Sequence, residues 1–153
     1  MTSTQIRSTS HPMLYDTDFV EWIDEAVTLL KQGKFSELDV ANLIEEVEDL
    51  GKRDKRAAYS NLKVVLLHLL KWQFQSDKRS ASWHSSIQEH RQCIQQILKD
   101  SPSLKNYLKQ EYRNCYNDAR ELASIETRLP LNTFPAECPY AVEQAQDSEF
   151  LPE

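Results

Sequence analysis

Two glycines, Gly33 and Gly51, are all that 153 residues contain, and none of the six prolines falls between Pro12 and Pro102. So little turn punctuation argues against many short strands and favours long helices. It also excludes phosphate loops, dinucleotide-binding G-x-G-x-x-G turns and G-x-S-x-G nucleophile elbows, none of which two isolated glycines can build. No apolar run approaches the roughly 20 residues that span a bilayer. The opening MTSTQIRSTSHP lacks the apolar stretch of a secretory leader, so a cytoplasmic protein without membrane contact is expected. Three cysteines, Cys93, Cys115 and Cys138, cannot all pair within one chain, and free, buried thiols in a reducing compartment are the simplest expectation.

What remains has ordinary globular composition, 40% hydrophobic and 27% charged, in a length that suits one domain. Residues 1–14 read as a flexible lead-in and 15–153 as a single helical domain. A first helix is expected to open at Asp16 or Thr17 as N-cap, to repeat Phe19, Trp22, Ile23, Ala26, Val27 and Leu30, and to close on Gly33. Ser36 is the candidate cap of a second, striped by Leu38, Ala41, Ile44 and Val47. Four acids, Glu45, Glu46, Glu48 and Asp49, would burden its end if it stopped at Gly51. Running on pairs Glu48 with Lys52 and Asp49 with Arg53 at i,i+4, so continuation is the expectation.

The run from Leu62 to Leu70 is apolar almost all round and reads as the central helix. Ser82 is the candidate cap of the next, with Trp83, Ile87, Ile94, Ile97 and Leu98 on its stripe. Pro102 then suits the first position of a last long helix reaching about Arg128. An irregular tail follows, with a short helix within Tyr140 to Gln146. The expected fold is therefore all-α, a bundle of about four to five helices with a proline-containing C-terminal tail packed on it.

Charge is strongly patterned. Asp16 to Asp49 holds eleven acids and two bases, Lys52 to Arg113 thirteen bases and five acids, and Asp118 to Glu153 eight acids and two bases, with Arg7 ahead of the three blocks. One explanation is intramolecular, with acidic helices pairing against the basic middle to set register. Another is that Lys52, Arg53, Lys55 and Arg56, joined by Lys71, Lys78 and Arg79, bind nucleic-acid phosphates, although an isoelectric point near 5.3 opposes long-range attraction. A charged protein partner fits equally well.

Chemistry-bearing motifs are sparse. Glu45-Glu46-Val47-Glu48-Asp49 is similar to the E-x-x-E box with which all-helical pyrophosphohydrolases hold magnesium, but no second acidic pair exists between Asp54 and Glu111. E-x-x-H, the mark of a di-metal bundle, is absent. His90 and Cys93 sit at i,i+3 without a closed ligand set. No metal and no cofactor are expected. His68, inside Leu66-Leu67-His68-Leu69-Leu70, and Arg91, near the Ile87 and Ile94 stripe, both point partly inward and need partners. Glu45, Glu46 or Glu126 could supply the compensating carboxylate of a structural cluster. The functional alternative is an acid–base or anion site built from His68, Lys71, Arg91 and an acid.

As a set, Tyr15-Asp16-Thr17-Asp18-Phe19 with Trp22, Leu38-Asp39, Asn42 to Glu48, Leu66 to Trp72, Ser82-Trp83, Arg91, Ser101 to Leu104, Glu126-Thr127, and Phe134-Pro135 through Tyr140 resemble the family catalogued as domain of unknown function 29. That resemblance covers Tyr15 to Glu153. It implies a small bacterial helical protein of a family without established activity, and it carries over no catalytic residue. The functional expectation is a non-catalytic binding or regulatory module that engages a protein partner or self-associates. Its rivals are an enzyme with a His68/Glu site acting on a nucleotide or nucleic acid, and a nucleic-acid-binding module using Lys52 to Arg56.

Overall fold

The computed structural model describes residues 10–153, with side chains from residue 14 onward. Among them every regular element is helical: α1 (Ser10–Thr17), α2 (Phe19–Lys31), α3 (Val40–Phe74), α4 (Ala81–Asp100), α5 (Leu104–Thr127) and α6 (Val142–Gln146), with single 3-10 turns at Phe35–Glu37, Ser76–Lys78 and Leu131–Thr133. The fold is all-α. Residues 1–9 of the expected lead-in lie outside the described residues; from Ser10 the backbone is helical.

The long helices follow the sequence, whereas α1 is an additional helix where a flexible lead-in was expected, and several caps differ. Asp18, not Asp16 or Thr17, caps α2, its carboxylate accepting from the Glu21 amide at 3.0 Å, because α1 consumes the two earlier residues. Ser36 lies in a 3-10 turn, and α3 opens after Asp39, whose carbonyl accepts from the Leu43 amide. Ser80, two positions before Ser82, caps α4 by accepting from the Trp83 amide. Pro102 occupies the turn before α5, which begins at Leu104. Gly33 closes α2 as expected: at φ +72° it places its own amide on Leu30 O and that of Lys34 on Leu29 O, the paired 6→1 and 5→2 bonds that left-handed glycine permits.

α3 runs through Gly51 for 35 residues. A β-carbon built on Gly51 meets nothing within 4 Å, so helix propensity alone decides the effect of a methyl group there. Gly51→Ala is expected to raise unfolding free energy by about 1 kcal/mol, read by chemical denaturation.

The chain divides into two compact units, Met1–Lys52 and Arg53–Glu153. In the second, Leu62, Val65, Leu66, Leu69 and Leu70 of α3 are wholly buried with Ile87 and Ile94 of α4 and Leu108, Cys115 and Ala119 of α5. The tail is a strap held mainly by its backbone carbonyls. Tyr112 Oη donates to Tyr140 O at 2.8 Å, Tyr116 Oη to Pro135 O at 2.5 Å, Arg120 Nε to Phe134 O at 3.0 Å and Gln88 Nε2 to Ser148 O at 2.7 Å. Phe134 seats edge-on against Phe74. All three cysteines are free, but only Cys115 is fully buried, and Cys93 is exposed, contrary to the expectation of buried thiols. Burial pushes the Cys115 thiol up to about 12, which leaves it unreactive at neutral pH.

Candidate functional site

Of the residues expected to form a polar site, Lys71 and Glu126 meet, and both charges act on His68. Lys71 Nζ lies 3.1 Å from Glu126 Oε2 and 4.7 Å above the Trp83 ring, and it shares the electrostatic surroundings of His68 together with Glu126 and His90. His68 donates from Nδ1 to Val64 O at 2.9 Å when that nitrogen carries the proton. Burial holds the imidazole below its ordinary 6.5, with the Lys71 charge acting in the same direction. The ammonium is thus neutralised by a carboxylate and stacked on an indole, and the remaining acid–base capacity lies at His68 Nε2.

Because the folded chain disfavours His68 protonation, the unfolded chain binds more protons just below pH 6.5, and stability rises with pH through that window. The melting temperature is expected to fall as pH drops from 7.5 to 5.5, and His68→Gln to flatten that slope.

Arg91 is not part of this cluster. It is 1% exposed, and no carboxylate receives it directly. Its Nε donates to Ala145 O at 2.9 Å, Nη1 to Phe150 O at 2.8 Å and Nη2 to Gln144 O at 3.1 Å, so the guanidinium clasps the C-terminal strap. Burial lowers its pKa, and Asp147 acts in the opposite direction. The expected partners Glu45 and Glu46 are engaged elsewhere or exposed.

Glu46 belongs to the first unit, where a feature that sequence reasoning passed over is assembled. Tyr15, Phe19 and Trp22 form an aromatic cluster, with centroids of Tyr15 and Trp22 4.9 Å apart and those of Phe19 and Trp22 5.8 Å apart. Trp22 Nε1 donates to Asp39 Oδ2 at 3.1 Å, and Asn42 Nδ2 donates to the same oxygen at 2.8 Å. Tyr15 Oη donates to Glu46 Oε1, and this bond pushes the phenol up to about 12. These contacts latch α1 and α2 onto the start of α3. The signal was available: Asp39 just before α3 and Asn42 in its first turn stand three residues apart, where a carboxylate accepts from nearby donors, and a buried indole N–H seeks an acceptor.

Beside the latch, the hairpin leaves its oily side open. Ten of the twelve large apolar side chains exposed among the described residues fall between Phe19 and Leu50, including Val20 at 68% and Val47 at 61%. Only Trp22, at 2%, is buried in this stretch. A groove of about 180 Å³ runs between Ile23, Ala26, Val27 and Leu30 on α2 and Leu43, Val47 and Leu50 on α3, with Glu46 on its wall. Glu45, Glu48 and Asp49 are exposed, and no group of three or more His, Cys, Asp or Glu among the described residues is placed to hold a metal ion.

The basic candidates Lys52, Arg53, Lys55 and Arg56 are all exposed on α3, with Lys55 leaning over the Tyr107 ring at 5.7 Å. Between described residues the ion pair is Lys71–Glu126. No helix in the described residues is long and apolar enough to cross a membrane.

No solved structure matches the chain. A family model described as domain of unknown function DUF29 matches residues 14–151, which is nearly the whole length and includes the aromatic latch, the leucine-rich part of α3, Arg91 and the strap. The chain belongs to the DUF29 family.

Proposed function

We propose that the protein is a non-catalytic, protein-binding module of the cytoplasm whose first unit presents a preformed docking face. One observation carries this reading: large apolar side chains concentrated on one short hairpin stand in water, although its aromatic latch already fixes its geometry. Contiguous exposed apolar surface of this kind marks interaction sites in soluble proteins. The polar residues expected to do chemistry are spent differently, Arg91 on the strap and Lys71 on Glu126. A photo-crosslinking amino acid at Val47 in the cell of origin tests the reading. A covalent adduct to a protein, whether foreign or a second copy, is expected; no adduct, with efficient labelling elsewhere on the chain, refutes it.

A second reading rests on the four exposed cations Lys52, Arg53, Lys55 and Arg56, which present charge suited to phosphates along one helix. It predicts nucleic-acid affinity falling linearly with log salt. Affinity unchanged when all four are replaced by Gln removes it.

A further inference from the structure

The hairpin's groove has the form of a seat for a third helix. The α2 stripe from Phe19 to Leu30 advances in steps of three and four residues over about 17 Å, or three turns, and Leu43, Val47 and Leu50 repeat the pattern on the α3 side of the groove. Two such stripes side by side accept anchors spaced i, i+3, i+4 and i+7 from an amphipathic helix. The described residues form no strand to which a peptide could add by sheet extension.

Charge then selects among helices. The stretch Asp16 to Asp49 carries eleven acids against two bases. Glu46 stands on the groove wall, and Glu21, Asp24 and Glu25 line a separate depression on α2. A second copy would bring an equally acidic face against this one, and an anionic lipid leaflet would be repelled in the same way. A helix flanked by lysine or arginine meets the rim with opposite sign. Resting on the protein-binding reading, we propose that the groove of the first unit binds an amphipathic helix with basic flanks.

The test measures binding of fluorescent 18-residue amphipathic helices with one leucine stripe and lysine, glutamine or glutamate on the remaining positions. The full chain is used at low and high salt. The lysine peptide is expected to bind, the glutamine peptide at least tenfold more weakly, and the glutamate peptide not at all. In the V27D/V47D variant, affinity for the lysine peptide is expected to drop at least tenfold. That substitution pair separates groove from charge: two added acids strengthen a purely electrostatic association and weaken one that needs the apolar floor. Should V27D/V47D disturb the helical circular dichroism, V27S/V47S serves the same purpose, with a drop of several-fold expected.

Equal or tighter binding of the lysine peptide by a folded variant overturns the proposal, as does equal affinity for the glutamate peptide. A wild-type dimer that V27D/V47D turns into monomer assigns the groove to a second copy, and binding to phosphatidylserine vesicles through the same residues assigns it to membrane; either result also overturns it. Cross-linking from Val47 to a protein, combined with failure of the peptide series, leaves the docking face standing and removes only its basic-helix ligand.

Discussion

Arg91→Met is expected to lower unfolding free energy by about 3 kcal/mol and to make the segment after Pro130 the first site of proteolysis. The substitution keeps much of the side chain's bulk but removes three donors. Gln144, Ala145 and Phe150 then each keep a carbonyl without its partner. A buried acceptor left unpaired costs about 1–3 kcal/mol, so the expected loss stands at the lower end of what three would cost. The strap limits the damage by lifting until water replaces the guanidinium. Removing the buried cation also refunds part of its own desolvation cost. Arg91→Lys should fall between wild type and Met, since an ammonium supplies three donors but lacks the planar fork that reaches carbonyls from two turns of backbone at once. Denaturant titration and timed proteolysis measure the two effects. An unchanged cleavage pattern with wild-type stability would show that the strap is held without Arg91, by the Tyr112, Tyr116, Arg120 and Gln88 hydrogen bonds and the buried Phe134, Tyr140 and Ala145.

The same residue shows where sequence reasoning reaches its limit. Arg91 shares the α4 stripe of Ile87, Ile94 and Leu98, so its inward direction was legible from spacing. A carboxylate partner was expected because a side chain is the only partner whose chemistry a sequence displays. Backbone carbonyls carry no residue identity, and the strap that supplies them is irregular. The long helices were legible for the opposite reason. Sparse glycine and proline, together with a leucine run apolar on every side, constrain local backbone and burial at once. The passage of α3 through Gly51 was readable from macrodipole and i,i+4 pairing. Caps were less so: where Asp16, Thr17 and Asp18, or Ser80 and Ser82, stand close together, each can cap, and tertiary packing chooses. The apolar face of the first unit was legible as a stripe but not as an open surface. Periodicity shows that a helix side favours leaving water without showing what covers it.

Trp22→Ala should abolish most amide-exchange protection across Phe19–Lys31. Truncating a buried tryptophan costs about 3–5 kcal/mol, and here the ring is the only buried residue of α2. A 13-residue helix holds little stability of its own in water. Trp22→Phe isolates one component: stacking with Tyr15 and Phe19 persists while the N–H to Asp39 is lost, for about 1 kcal/mol. A double-mutant cycle with Asp39→Ala, which removes the acceptor, should return coupling of similar size. Val27→Ala and Val47→Ala provide the decisive contrast. Both residues are already open to solvent, so each change should stay within about 0.5 kcal/mol. A hairpin that depends on one hidden indole yet tolerates loss of the aliphatic groups along its groove has not placed those groups there for its own stability. If truncating them costs as much as truncating Trp22, they belong to the chain's own core, and the docking face loses its basis.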